Sequence, residues 1–274
     1  MLIDELESLQ LTAREIRLNI LEMAYNCNGP AHLGGGLSMV ELMTTLYARA
    51  MNFDPLDPTL ASRDRFILSK GHGVLGFFPI LAQFGYFDKS LLRTFKVDGS
   101  DLVAHPVWNQ ELGIESSNGS LGHGLSMAAG IALAGKLKTE PYQTYVLLGD
   151  GECNEGSVWE AAMFAVQYEL DNLTAIVDWN GFQSDGPSED VIDNKILPDR
   201  WRGFGWNVIE IDGHDFTEIE KSLLNPTLPN VPKVILARTI KGKGVSFMEN
   251  NNSWHHNRLT RDSYLRAKSE VEVI

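Results

Sequence analysis

The stretch that decides the fold runs from Leu148 to Gly186 and reads LGDGECNEGSVWEAAMFAVQYELDNLTAIVDWNGFQSDG. An apolar run ends in a Gly-Asp-Gly turn at Asp150, a helical pattern follows, and a second apolar run ends about thirty residues later at Asn180. Strand, helix and strand of this length make one crossover unit, whose two strands run parallel. The stretch therefore predicts that the Asp150 and Asn180 loops lie at the same edge of a sheet.

The same alternation of short apolar runs and helical patterns extends over the rest of the chain. Strands are predicted near 65–70, 145–148, 173–178, 206–211 and 234–238, with helices over 2–26, 74–84 and 158–168 and another after the glycine-rich loop at 119–124. His32-Leu-Gly-Gly-Gly is predicted to be a loop, and a helix is predicted to begin after it with Ser38 as its cap. This pattern indicates an α/β protein whose mostly parallel sheet is flanked by helices on both faces, in a single domain over 1–274.

Composition excludes several classes of protein. The chain has 274 residues with 43% hydrophobic and 22% charged residues, which is typical of a globular protein. A formal charge of −13 without clustered Lys and Arg argues against nucleic-acid binding. Cys27 and Cys153 have no metal-site or disulfide spacing, and no secretion signal or membrane span is visible, so a cytoplasmic protein is expected.

The residues of the two loops suit a hard divalent cation. Mg²⁺ prefers oxygen ligands, usually one or two from the protein with phosphate oxygens completing the shell. Asp150 offers a carboxylate, Asn180 an amide oxygen and Phe182 a backbone carbonyl. Gly151 leaves its backbone N–H accessible to a diphosphate. A lone Gly-Asp-Gly or Asn-Gly is usually only a turn, but their spacing over one crossover unit favours a metal–diphosphate site.

The order of several motifs resembles the N-terminal portion of transketolase over about 230 residues. The spaced GDG and Asn are the thiamine diphosphate signature of that family. GPAHLGGGLSMVELMTTLY, DRFILSKGHG, VAHP, GSLGHGLSMAAGIALA and TIKGKGVSFMENNNSWHH are similar, in this order, to further blocks of it. The resemblance implies the thiamine diphosphate-binding fold, with thiamine diphosphate and Mg²⁺ (or Ca²⁺ or Mn²⁺) as cofactors.

Roles for individual residues follow from this resemblance. It implies metal ligation by Asp150, Asn180 and the carbonyl of Phe182. Cofactor binding is implied for His72, Gly119, Leu121, Gly151, Glu155, Asn180 and His255, with Glu155 near a partner subunit. His32 and His105 are expected beside the thiazolium, where they contact ketose hydroxyls or a developing oxyanion, and His72 and His255 are expected to donate to diphosphate oxygens. The choice between His255 and His256 and the role of His123 stay open.

The sequence also departs from the family. The family's His-Pro-Gly-Gly-Ser reads His32-Leu-Gly-Gly-Gly here, and its Gly-Pro-Leu-Gly-Gln-Gly reads Gly119-Ser-Leu-Gly-His-Gly. No block resembles the pyrimidine-binding domain, which in transketolases carries the glutamate that activates the cofactor. A second, C-terminal transketolase subunit is therefore expected to supply that domain and glutamate, in an α2β2 heterotetramer.

The function predicted is that of the diphosphate-binding subunit of a two-chain transketolase, which transfers a two-carbon ketol unit from a ketose phosphate to an aldose phosphate and is active only with its partner. One alternative is transfer of the unit to a lipoyl or carrier-protein acceptor, and another is a non-catalytic scaffold or regulatory subunit. A nucleotide-dependent dehydrogenase is disfavoured because no GxGxxG follows the first strand with an acidic residue about twenty positions later.

Overall fold

A five-stranded parallel sheet forms the centre of the computed structural model, which describes residues 1–27, 29–138 and 142–273. The strands are β1 (Arg65–Leu68), β2 (Thr144–Gly149), β3 (Leu173–Trp179), β4 (Asn207–Asp212) and β5 (Lys233–Arg238). Their order across the sheet is β1-β2-β3-β5-β4, and each neighbouring pair is parallel. The predicted fold class is confirmed, while the prediction of a single domain over 1–274 stays a prediction.

Helices cover both faces of this sheet. They are α1 (Ile3–Asn26), α2 (Leu33–Leu37), α3 (Val40–Thr45), α4 (Val74–Gln83), α5 (Gly124–Lys138), α6 (Gly156–Gln167), α7 (Ser188–Val191), α8 (Leu197–Gly203), α9 (Phe216–Leu224) and α10 (Arg261–Val271). A π-helical turn, Leu46–Ala50, continues α3. Within the described residues, no helix combines the length and apolar character needed to cross a bilayer.

Alternating side chains of the strands divide the apolar core between the two faces. In β2, Tyr145 and Leu147 pack into the cluster formed with α1, α3 and α4, whereas Val146 and Leu148 pack with α5, α6 and α8. All seven residues of β3 are buried. A parallel strand covered on both faces reads as a continuous apolar run, which is why the strands were visible in the sequence.

The start of the second helix differs from its prediction. The chain is already helical at Leu33, and Ser38 lies at the C-terminal end of α2 instead of capping a new helix. The glycines of α2 are buried, and a Cβ added to Gly36 would lie 3.1 Å from the Gly76 backbone nitrogen. Close packing against α4 therefore holds a helix where low glycine propensity predicts a loop.

A β-bridge joins two segments that are far apart in the sequence. The Ala31 N–H donates to the Asn257 carbonyl at 2.9 Å, and the Asn257 N–H donates back to Ala31 at 3.1 Å. In addition, the Gly242 N–H donates to the Gly34 carbonyl at 3.1 Å. These bonds hold the loop after β5 against the start of α2, beside the carboxyl ends of the strands.

Candidate functional site

A cavity of about 350 Å³ lies at the carboxyl edge of the sheet. Its walls come from the segments that follow β1, β2, β3 and β5, together with the start of α2. Every residue given a catalytic, cofactor or metal role by the sequence lines it: His32, His72, His105, Gly119, Leu121, Asp150, Gly151, Glu155, Asn180, Phe182 and His255. The structure thus brings all of these residues together, and their individual roles stay predictions.

The Asp150 and Asn180 loops are in direct contact. Asp150 Oδ2 accepts hydrogen bonds from the Gly181 N–H at 3.2 Å and the Ser188 hydroxyl at 2.8 Å. Asn180 Oδ1 accepts from the Phe182 N–H at 3.1 Å. This adjacency arises because β2 and β3 are parallel neighbours whose register sets Gly149 opposite Asp178.

The electrostatics of Asp150 suit a cation. Burial raises the pKa of its carboxyl to about 6, the hydrogen bond from Ser188 opposes this shift, and the nearby Asp178 carboxylate adds to it. A buried carboxylate with a raised pKa gains stability from a bound positive ion. Within the described ranges, no three His, Cys, Asp or Glu side chains are grouped to hold a metal. Asp150, Asn180 and Phe182 line the same cavity, and a carboxylate, an amide oxygen and a carbonyl are the ligand types that suit an ion that also takes phosphate oxygens.

Gly151 allows close approach between two walls of the cavity. A Cβ at this position would lie 2.7 Å from Gln183 Cγ, which is too short for an ordinary contact. Glycine therefore lets the backbone of the Gly-Asp-Gly turn pass directly against the Gln183 side chain.

Five histidine rings form a cluster with His32 at its centre. The His32 ring centroid lies 5.2 Å from that of His72, 6.2 Å from His105, 5.4 Å from His255 and 4.3 Å from His256. Among these, His256 is exposed and does not line the cavity. The bridge between Ala31 and Asn257 explains the cluster, because His32 and His256 each sit next to a bridged residue.

Three of these rings are held neutral. Burial lowers the pKa of His32 to about 3, and the neighbouring histidines act in the same direction. Burial and the Lys241 ammonium lower the pKa of His255 to about 4, and burial together with Lys70 places the pKa of His72 well below its ordinary value. Neutral imidazoles can each donate one hydrogen bond and accept another near pH 7.

Lys241 fixes the tautomer of His255. Its Nζ contacts His255 Nδ1 at 2.8 Å, Asn252 Oδ1 at 3.0 Å and the Gln183 carbonyl at 3.3 Å. Burial lowers the pKa of Lys241 to about 8, so the ammonium stays charged at pH 7. Because an ammonium only donates, Nδ1 of His255 must accept and the ring proton resides on Nε2. His255 is thereby prepared as a donor through Nε2.

Sequence reasoning missed a buried ion pair at the cavity, in which Lys70 is part of the wall and Asp178 lies behind it. Lys70 forms a short contact with Asp178, and the side chains are 1% and 0% exposed. Burial raises the pKa of Asp178, but Lys70 and the hydroxyls of Ser38 and Thr239 outweigh it and hold the pKa below its ordinary value. One signal was visible: Asp178 is a charged residue inside an otherwise apolar strand, Leu173–Trp179. Lys241 was also missed: it lies within the block TIKGKGVSFMENNNSWHH, from which only the terminal histidines were given a role.

The two glutamates of the turn after β2 have different surroundings. Glu155 is exposed at the mouth of the cavity, where it begins α6. Glu152 is buried and accepts hydrogen bonds from the Gly122 N–H at 2.8 Å and the Gly149 N–H at 3.0 Å. Glu152 therefore ties the loop before α5 to the Gly-Asp-Gly turn, and it was not predicted.

The chain matches a known protein family over nearly its whole length. Residues 9–272 match the family described as transketolase, thiamine diphosphate binding domain. The chain is 40% identical over 268 residues to one of the subunits of the apulose-4-phosphate transketolase of Phocaeicola vulgatus, covering 97% of this chain and 95% of the relative. It is 42% identical over 245 residues to the 6-deoxy-6-sulfo-D-fructose transketolase subunit SqwG of a Clostridium species, with 89% of each chain covered.

Solved structures with the same fold are considerably longer. The transketolase of Campylobacter jejuni superposes with a TM-score of 0.87 at 29% identity, and the match covers 99% of this chain and 43% of that one. The chain therefore spans less than half the length of that structure.

Proposed function

The chain belongs to the transketolase family, whose thiamine diphosphate-binding domain it matches, and on this premise we propose that it is the diphosphate-binding subunit of a two-chain transketolase. The reaction proposed is transfer of a two-carbon ketol unit from a ketose phosphate to an aldose phosphate. The observation that carries the proposal is the single cavity in which the adjoining Asp150 and Asn180 loops face a group of neutral histidines.

The residues of the cavity suit the cofactor in two places. Asp150, Asn180 and the Phe182 carbonyl would hold the divalent metal, which we propose to be Mg²⁺. Gly151 and His255 would contact the diphosphate, His255 through the Nε2 proton that Lys241 fixes. Thiamine diphosphate, when bound, supplies the carbon nucleophile that allows the bond between C2 and C3 of a ketose to break.

His32 and His105 are proposed to handle the sugar. A neutral His32 can donate to a ketose hydroxyl or to an oxygen that gains negative charge, and it can accept from a second hydroxyl. A cationic ring would have two donors and no acceptor. The neutral ring implied by the lowered pKa of His32 offers one donor and one acceptor, which suits hydroxyl groups that themselves donate and accept.

A second polypeptide is required in this proposal. The two relatives above are each named as one subunit of a transketolase, and each has nearly the length of this chain, which supports a partner-dependent enzyme. We propose that the partner contributes the pyrimidine-binding domain and its glutamate and that the two chains form an α2β2 heterotetramer, with Glu155 near the contact. The cytoplasm is the proposed compartment, because Cys27 and Cys153 are both free thiols.

The alternatives receive less support. The names of the relatives refer to apulose-4-phosphate and to a sulfonated fructose, so a small anionic sugar is favoured here over a lipoyl or carrier-protein acceptor. A non-catalytic scaffold subunit would not need the buried Asp150 carboxylate and the neutral histidine rings to line one cavity.

Co-expression with the proposed partner subunit tests this function. The purified complex is expected to transfer a ketol unit between a ketose phosphate and an aldose phosphate only with thiamine diphosphate and Mg²⁺ present. Asp150→Asn should abolish measurable transfer, since it removes the metal-binding carboxylate. Asp64→Asn is a matched control, because Asp64 is buried at the opposite edge of the sheet and accepts from the Asn52 and Gln143 N–H groups. Full transfer by this chain alone would refute the two-chain proposal.

A further inference from the structure

Asp178 is a fully buried carboxylate directly below the cavity floor. Its Oδ2 accepts from the Ser38 hydroxyl at 2.6 Å, from Asn180 Nδ2 at 3.3 Å and, in a short contact, from Lys70 Nζ. Its Oδ1 accepts from the Thr239 hydroxyl. These donors come from the end of α2 and from the segments after β1, β3 and β5, so one side chain links four parts of the site.

These hydrogen bonds bear on whether Asp178 is itself a metal ligand. Each carboxylate oxygen has about two lone-pair positions; here Oδ2 already accepts from three donors and Oδ1 from one. Its charge is also compensated by Lys70, whose ammonium additionally donates to the Gly35 carbonyl at 2.7 Å. Asp178 is therefore held by protein donors behind the cavity, whereas Asp150 lines the cavity.

The hydrogen bond to Asn180 has a directional consequence. A carboxylate only accepts, whereas a carboxamide donates at one end and accepts at the other. The NH₂ group of Asn180 must therefore face Asp178, and its oxygen lies at the other end, where it accepts from the Phe182 N–H at 3.1 Å. A reversed carboxamide would bring two acceptors together at Asp178 and two donors together at Phe182.

We propose that Asp178 is a positioning residue that sets the direction of the Asn180 carboxamide, so that its oxygen and not its nitrogen is presented to the divalent cation. The proposal rests on the proposed function, since it assigns Asn180 to the metal. Lys70 then has a defined part: its ammonium can only donate, so its contact with Oδ2 requires that oxygen to accept, which is the property that dictates the orientation.

The primary experiment is a Mg²⁺ titration of the two-chain complex at saturating thiamine diphosphate, with cofactor binding followed by isothermal titration calorimetry. Asp178→Asn keeps the shape of the side chain but allows it to donate or accept, so it no longer selects one orientation of Asn180. The half-saturating Mg²⁺ concentration is expected to rise by about 10- to 100-fold, as for other residues that orient metal ligands.

A second variant separates positioning from charge compensation. Asp178→Asn leaves Lys70 as a buried unpaired charge and can lower the stability of the fold, whereas the double variant Lys70→Met/Asp178→Asn removes both charges. If Asp178 only neutralises Lys70, the double variant binds Mg²⁺ like the wild type, and the proposal is overturned. If Asp178 positions Asn180, the double variant retains the weakened Mg²⁺ response.

Asp64→Asn provides the control for loss of a buried carboxylate, and its Mg²⁺ response is expected to match the wild type. A wild-type complex that binds no thiamine diphosphate with Mg²⁺ would remove the proposed function and this inference together. A wild-type complex that binds both, with Asp178→Asn indistinguishable from it, would remove this inference alone.

Discussion

At the scale of single residues, the site depends on which hydrogen-bonding direction each side chain is allowed. Lys241 forces His255 to carry its proton on Nε2. Asp178 forces the amide NH₂ group of Asn180 to face the Asp178 carboxylate. Neither constraint is visible in the sequence, because each arises from contacts that form only after folding. The sequence predicted both residues for the site, Asn180 from its position after an apolar run and His255 from the block TIKGKGVSFMENNNSWHH, and the structure places both at the cavity.

His256 gives a prediction at this scale. Its ring is tilted by 32° on His32 at 4.3 Å, and it does not line the cavity. In the active complex, His256→Ala should raise KM for the ketose by about 2- to 10-fold, because a ring pair contributes about 0.5–1.5 kcal/mol to the orientation of its members. His256→Phe supplies another ring and should bring KM back close to the wild-type value. Equal kinetics for all three proteins would show that the ring contact does not position His32.

At the scale of secondary structure elements, strands were predicted better than helices. Continuous apolar runs such as Leu173–Trp179 mark buried parallel strands directly, and the five predicted strands are all present. Helices α8, α9 and α10 were not singled out. The first is short and the last is mostly polar, but α9 carries a visible signal, because its buried residues Phe216, Ile219 and Leu223 recur at helical spacing. The short helix α2 was predicted as a loop, since its three glycines are stabilised by tertiary packing that a local sequence does not reveal.

Helix α5 offers a matched pair of glycines for a stability prediction. A Cβ at Gly124 would lie 2.6 Å from the Ser69 backbone Cα, whereas a Cβ at Gly130 has nothing within 4 Å. Gly124→Ala should lower the free energy of unfolding by about 1–3 kcal/mol through overpacking. Gly130→Ala should raise it by about 0.5–1 kcal/mol, because alanine loses less backbone entropy in a helix. Urea unfolding of both variants measures the contrast, and a loss at Gly130 equal to that at Gly124 would contradict it.

At the scale of the whole molecule, the histidines that stay neutral in the fold should make the protein less stable at acidic pH. The ordinary pKa of histidine is 6.5, whereas His32 and His255 titrate at about 3 and 4 in the fold and His72 well below its ordinary value. Below pH 6.5 the unfolded chain takes up protons that the folded chain cannot, so the free energy of unfolding should fall as the pH decreases from about 6.5 towards 4.

Thermal unfolding of the chain at pH 7, 6 and 5 tests this expectation. The double variant His32→Gln/His255→Gln should lose less stability than the wild type over this interval, because it has fewer buried rings to protonate. His123→Gln, which changes an exposed ring outside the cavity lining, should follow the wild type. If the unfolding temperatures of all three proteins fall equally between pH 7 and pH 5, residues other than His32 and His255 cause the acid sensitivity.

The bridge between Ala31 and Asn257 determines when the cavity can be completed as the chain is synthesised. The His32 side of the cavity precedes every strand of the sheet, but the bridge that brings His255 and His256 beside His32 needs a segment that follows all five strands. Contacts between such distant positions form late because the intervening chain must first be closed into a loop. The ring cluster of the cavity is consequently expected to assemble only after the whole sheet has been synthesised, so a chain interrupted before that segment should not hold thiamine diphosphate.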